Sequence, residues 1–313
     1  MTTPATPLPL LAATLVLLLV TAPARGRADT PVAASDAAGP GAPVTTAVLD
    51  LAAAEVAVDS VAADPPAPLQ PTRPELRLTP GLWTQAGVTG ALLLAVGGAQ
   101  LYSDRLAPSD CRWCEPPQLD RWARRQLLWQ DTRSATTLGN LLIVAIPVGA
   151  ALTLGFVAHA EGAGFREGAE DLLVLTEAAT LTLVLMQVAK FTTARVRPDA
   201  WAGSGSVTAN SRMSFFAGHS AVAFAVAAAG TQVMRLRGRP GWGWFAVASF
   251  AGAAASGFFR VASDNHWLTD VVSGAVIGTA IGLPLPGLVL RPADRREAGL
   301  TLVPAPGGLA LLF

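Results

Sequence analysis

The chain has 313 residues, no net charge, 51% apolar residues and only 14% charged ones. Soluble domains carry roughly 25% charged residues, and the mean hydropathy here is +0.44, so the composition argues for a membrane protein. A neutral chain also offers no basic face for nucleic acid, which excludes it as an expected partner.

Residues 10–20 form an apolar run followed by Ala22-Pro23-Ala24 and Gly26-Arg27-Ala28, two small-residue tripeptides that resemble cleavage sites. No Lys or Arg precedes the run, and it is short for a spanning helix. Residues 1–28 read as a cleaved signal peptide, with an uncleaved anchor as the alternative. Residues 29–81 are rich in Ala, Pro, Thr and Asp, and Pro65, Pro66, Pro68, Pro71 and Pro74 exclude regular helix around them. This segment reads as a disordered extracytoplasmic linker with a short helix at 47–58.

Six apolar stretches follow, at 82–101, 138–158, 172–189, 215–234, 244–261 and 269–290. Each approaches the ~20 residues of a membrane helix. The fourth and fifth are rich in Ala and Gly, which suits close packing inside a helix bundle. The expected fold is an all-α membrane bundle of about six helices, against a soluble helical core as the alternative.

Between the first two stretches lie Cys111 and Cys114. No second ligand pair follows to complete a zinc site, and the βαβ context of a redox dithiol is absent. A local disulfide is expected if this loop faces the periplasm, and two free thiols otherwise. Residues 118–133 mix Trp122 and Trp129 with Arg121, Arg124, Arg125 and Arg133, while Leu119, Trp122, Ala123 and Leu127 recur at helical spacing. This pattern predicts an amphipathic helix at the membrane interface, or else a solvated loop helix. At the end of the chain, residues 300–313 place a Pro/Gly turn between two apolar pieces, the pattern of a small hairpin. The division by sequence is thus 1–28, 29–81, a helical membrane domain at 82–292 and a short tail at 293–313.

Charge returns beside the apolar stretches in three blocks. Lys190 closes the third stretch, and Arg197-Pro198 follows seven residues later. Gly218-His219 opens the fourth stretch, where free helix N–H groups favour an anion. Arg260 ends the fifth stretch, His266 lies in the next loop, and Asp270 begins the sixth. Four residues apart, His266 and Asp270 can face each other on a helical turn, and an Asp that accepts a proton from a His ring fixes its tautomer. Three cations suit a phosphate dianion, one His can attack phosphorus, and the other can protonate the leaving oxygen. The spacing of Asp199, Asp264 and Asp270 does not suggest a two-metal site, so no metal or other cofactor is expected.

K-x6-R-P, then G-H, then R-x5-H-x3-D resembles the signature of the type 2 phosphatidic acid phosphatase superfamily, which also contains vanadium-dependent haloperoxidases. The resemblance covers about residues 82–290 and implies an all-helical core. It implies a phosphohistidine on His266, oriented by Asp270, with His219 as general acid. Lys190, Arg197, Arg260 and the Gly218 N–H would hold the phosphoryl oxygens. The implied activity is hydrolysis of a lipid phosphate such as phosphatidate, phosphatidylglycerophosphate or a polyprenyl diphosphate. The alternatives are a vanadium haloperoxidase, and a weakly active or non-catalytic protein that binds lipid phosphate.

The middle block departs from the family's P-S-G-H, with Phe216 and Ala217 in place of Pro and Ser, and Phe259 stands where Ser is common. By analogy with removal of one oxyanion donor, the missing hydroxyl would cost about 2.7–4 kcal/mol, unless Ser214, Ser220 or a water compensates. The resemblance also implies an inner membrane of bacterial type with the blocks facing the periplasm. Arg235, Arg237 and Arg239, and then Arg291, Arg295 and Arg296, fit a cytoplasmic location on the other side. The Arg-rich loop 103–137 does not fit this orientation, and the parity requires a choice: either the 10–20 run stays uncleaved on the cytoplasmic side, or one stretch does not cross.

Overall fold

The computed structural model describes residues 75–204 and 208–293, and the backbone of 301–305 and 308–312. The expected leader, most of the linker and the helix at 47–58 lie outside the described residues. In chain order the elements are β1 (Leu76–Leu78), α1 (Leu82–Leu101), α2 (Ser103–Leu106), α3 (Gln118–Leu127), α4 (Thr132–Ala160), α5 (Phe165–Thr193) and α6 (Pro198–Trp201). A 3-10 turn (Ala209–Arg212) precedes α7 (Gly218–Leu236), α8 (Trp242–Ala262), α9 (Leu268–Gly282), α10 (Leu285–Val289), β2 (Leu290–Pro292), β3 (Thr301–Ala305) and β4 (Gly308–Leu312).

All six apolar stretches are long helices, the last broken by a turn between α9 and α10. Among the described residues, five helical segments are long and apolar enough to cross a membrane: Leu82–Leu101, Thr132–Ala160, Phe165–Thr193, Trp242–Ala262 and Leu268–Val289. The remaining long helix, α7, is the centre of the bundle. Its residues Ala221, Ala223, Ala225, Ala227, Ala228 and Ala229 are fully buried, and α4, α5, α8 and α9 pack around it. α1 packs against α5.

Small residues set the closest contact, as expected where lipid removes the hydrophobic drive between helices. Gly274, Gly278 and Gly282 repeat every fourth position along α9 and meet the backbone of α7. A Cβ on Gly274 would stand 2.7 Å from the Ala217 carbonyl oxygen, and on Gly278 or Gly282 it would collide with the carbonyls of Ala221 and Ala225. Two further bonds lock the seam near its start: Ala217 N donates to the Asp270 carbonyl at 3.1 Å, and Ser220 Oγ donates to the Val271 carbonyl at 2.9 Å.

The strands fix which ends of the helices lie together. β1 pairs antiparallel with β2, Leu76 opposite Pro292 and Leu78 opposite Leu290, so the start of α1 and the end of α10 share one end of the bundle. Six alternating passages then place the connections 102–131, 194–217 and 263–267 together at the other end. Hydrogen bonds join them there: Arg112 N to Ala194 O, Trp129 N to Ala262 O, and Asp199 N to Asp264 O. Residues 76–78 are therefore strand where linker was expected. The tail does form a hairpin, β3 against β4, with Ala305 opposite Gly308 at the turn.

One other expectation is corrected. The helix at 118–133 stops at Leu127, and Arg133 belongs to α4, whose start is capped by Asp131 accepting from Ser134 N at 3.1 Å. The face that α3 buries carries Asp120 and Ala123, while Leu119 and Trp122 are exposed. At the opposite end, Arg237 and Arg239 are buried in ion pairs with the first turns of α5, which adds to the sequence reading rather than overturning it.

Candidate active site

The three blocks converge at one end of the bundle. Lys190 lies in the last turn of α5, which closes on Ala194 in the left-handed conformation (φ 45°). The next turn delivers Arg197, and Pro198 opens α6 at a position that needs no N–H donor. Gly218 and His219 begin α7, Arg260 ends α8, and Asp270 is in the first turn of α9. His266 stands one residue before the Trp267 cap of α9, outside the helix rather than on its first turn.

His266 is buried, and its N–H donates to the Arg260 carbonyl at 3.1 Å. Burial first, and then the charges of Arg197, Arg260 and Lys190, hold its imidazole well below its ordinary value. The ring is therefore neutral at neutral pH. Its Nδ1 lies 3.6 Å from Asp270 Oδ2, too long for a hydrogen bond. The reason is that Asp270 has other donors: Ser214 Oγ at 2.5 Å, Trp267 N at 3.0 Å and the Arg195 guanidinium. Asp270 is thus also a helix cap.

The cations differ in how they are held. Arg197 donates to the Asn210 carbonyl (2.9 Å), the Asn265 carbonyl (3.1 Å) and Asn210 Oδ1 (3.1 Å). Burial lowers its guanidinium, opposed by the charges of Asp199 and Asp270. Arg260 Nη1 donates to Asn140 Oδ1 at 3.3 Å, while its buried Nε has no partner. Among the described residues, none of Lys190, Arg197 and Arg260 is ion-paired with a carboxylate. An unpaired buried cation is costly, and with all three acting electrostatically on His266 the arrangement can receive an anion.

His219 Nε2 lies 3.2 Å from Asn140 Oδ1. That oxygen already accepts from Arg260, so the contact with His219 places a proton on Nε2. The N–H groups of Gly218, His219 and Ser220 form the first turn of α7 and have no acceptor within it. Packing also favours glycine at 218, since a Cβ there would strike the Met186 sulfur. The hydroxyls expected to replace the missing serine are both engaged, Ser214 with Asp270 and Ser220 with the Val271 carbonyl.

Several site residues escaped sequence reasoning. Asn140, in α4, has no motif around it. Arg195 lies inside the first block, and Asp120 was hidden in a helix whose arginines drew attention. Asp264, in the left-handed conformation (φ 61°), is clamped by Arg124 through two 2.7 Å bonds, which fixes the turn before His266. The disulfide Cys111–Cys114 lies in the loop that pairs with residues 194–196, not among the catalytic candidates. Among the described residues no three His, Cys, Asp or Glu side chains stand together as a metal-binding group.

Residues 171–291 match the sequence model of the PAP2 superfamily. Over 112 residues the chain is 28% identical to a lipid A 1-phosphatase of Porphyromonas gingivalis, a match spanning 35% of this chain and only 22% of that protein. It is also similar to the crystal structure of a transmembrane PAP2-type phosphatidylglycerolphosphate phosphatase from Bacillus subtilis. That match has 18% identity and a TM-score of 0.40, and covers 66% of this chain and 94% of that one.

Proposed function

We propose that this chain, whose residues 171–291 match the PAP2 superfamily, is a type 2 phosphatidic acid phosphatase-like membrane phosphatase that hydrolyses a lipid phosphate. The observation that carries this reading is the neutral, buried His266 ringed by three cations without carboxylate partners. A phosphate ester supplies the missing negative charge.

In the proposed mechanism Lys190, Arg197, Arg260 and the N–H of Gly218 bind the phosphoryl oxygens. Nε2 of His266 attacks phosphorus, and the bond from phosphorus to the lipid oxygen breaks. His219, protonated as the imidazolium once the phosphate dianion is bound, gives one proton to that departing oxygen and is left as the neutral ring. It then takes a proton from water, whose oxygen attacks the phosphohistidine and releases inorganic phosphate. Asp270 stabilises the cationic ring of the intermediate. Phosphatidate, phosphatidylglycerophosphate, a polyprenyl diphosphate and a lipid A-type 1-phosphate are the substrates to compare.

The pocket is proposed to face the periplasm across an inner membrane. Its end of the bundle carries the Cys111–Cys114 disulfide, and disulfides persist in oxidising compartments. Residue 75 then lies on the cytoplasmic face with the end of α10. The arginines of the outer loops are partly neutralised or engaged, Arg124 by Asp264 and Arg112 by the Thr192 carbonyl. A weakly active or non-catalytic reading keeps one support, the buried Ala217 with both neighbouring serine hydroxyls occupied.

The test is phosphate release by the purified full chain from these lipids in mixed micelles. Vanadate should inhibit it and EDTA should not. His266→Ala should lower the rate at least ~10³-fold, on the scale of losing a covalent nucleophile, and should abolish labelled phosphate on acid-quenched protein. Undiminished turnover by His266→Ala would overturn the assignment.

A further inference from the structure

Asp270 is tied to a second carboxylate 150 residues away in sequence. Arg195 bridges them, with Nη1 on Asp270 Oδ1 and Nη2 on Asp120 Oδ2 at 2.5 Å. All three side chains are completely buried. Asp120 also accepts from Thr269 N at 2.9 Å and Thr269 Oγ1 at 2.7 Å, so a carboxylate from α3 caps the start of α9, where the helix dipole favours it. From a third direction the Trp113 ring covers the Arg195 guanidinium, 3.8 Å from centroid to Cζ. Trp113 is held in register, since its carbonyl accepts from Val196 N at 3.2 Å.

We propose that Arg195, braced by Asp120 and Trp113, is a positioning residue that fixes the carboxylate of Asp270 and, through it, the ring of His266. Both of its terminal nitrogens are committed to carboxylates, so Arg195 leaves phosphate to Lys190, Arg197 and Arg260. Asp270 sits within electrostatic reach of Lys190 and Arg197 as well as His266. A carboxylate free to turn there would choose among three partners. The Asp120–Arg195 link holds Oδ1 while Ser214 and Trp267 N hold Oδ2, and together they remove that choice and keep Oδ2 on the His266 side. For its rate measurements the proposal rests on the phosphatase reading above.

The experiment uses the full chain with Arg195→Lys and Asp120→Asn. Each should lower kcat about 10- to 100-fold, the scale of misplacing a reacting group, with KM and vanadate inhibition held within about 3-fold because phosphate contacts are kept. Asp120→Asn preserves shape and carries the test if Arg195→Lys does not fold. An activity-independent measurement accompanies it: the chain has three histidines, His159, His219 and His266, so ring ¹⁵N spectra resolve each. The His266 signals should move in both variants while those of His159 stay. Wild-type kcat in both variants, or a KM and vanadate shift as large as the loss of kcat, would overturn the proposal. So would unmoved His266 signals. If the wild-type chain releases no phosphate, the function fails, and the ring spectra still decide the role of Arg195.

Discussion

The two ends of the bundle both bury arginines, and they satisfy them in opposite ways. At the strand-paired end, Arg237 contacts Asp171 (2.6 Å), Glu170 (3.6 Å) and Glu167 (3.7 Å), and donates to the Leu76 carbonyl at 3.0 Å. Arg239 contacts Asp171 (2.6 Å), Glu167 (2.7 Å) and Glu161 (4.0 Å). At the other end Arg197 and Arg260 are equally buried, yet their hydrogen bonds go to neutral oxygens of Asn210, Asn265 and Asn140. Burial alone therefore says little about function. A cation saturated with carboxylates pins helices together, whereas a cation left with amide oxygens keeps its charge uncompensated, which is the basis for the anion site proposed above.

The largest effect should come from the saturated end. Arg237→Met removes one cation from Asp171, Glu170 and Glu167 and leaves the buried Asp171 and Glu170 only partly compensated, by Arg239 and Arg166, a loss of about 3 kcal/mol. Thermal unfolding in detergent should show it, while protein that remains folded should keep nearly wild-type turnover. A variant as stable as the wild type would break the comparison.

Arg260→Met probes the open end and should invert the outcome. It relieves like-charge crowding around His266, so the melting temperature should hold or rise. Turnover should drop about 10²–10³-fold, the cost of removing one preorganised donor from a transition state. Vanadate, which should stabilise the wild type by about 2.7 kcal/mol at a hundredfold excess over its Kd, should protect Arg237→Met and not Arg260→Met. Equal protection of both variants would show that the open end is not the anion site.

The same contrast explains what could be read from the chain. The six helices were legible because each carries an apolar run near membrane length. The open end was legible because Lys190, Arg197, Gly218, His219, Arg260, His266 and Asp270 fall in three local blocks with fixed spacing. The saturated end was not, since Arg237 and Arg239 look like ordinary basic loop residues until α5 brings Glu167, Glu170 and Asp171 beside them. Asp120 and Arg195 were missed for the same reason: their pairing spans 75 positions, and no local pattern marks it. β1 and β2 are three residues each and pair across the whole length of the helical segment, so no local pattern marks them.

The smallest effect, and the finest probe of the open end, belongs to Ala217. This residue caps α7 without a side-chain hydrogen bond, and it is fully buried. Ser214 has given its hydroxyl proton to Asp270, and Ser220 has given its own to the Val271 carbonyl, so neither is spare for phosphate. Ala217→Ser adds a hydroxyl where both the first-turn N–H groups and a bound phosphoryl group can use it. As a cap alone it would raise stability by about 0.5–2 kcal/mol without changing the rate. As a phosphate donor it would raise turnover. We expect roughly a tenfold gain, below the 10²–10³ lost when an existing donor is removed, because the present pocket is packed around a methyl group. Steady-state kinetics and a melting curve on the same preparation separate the two roles, and a higher melting temperature with unchanged kcat would mean that the serine hydroxyl serves the helix and not the substrate.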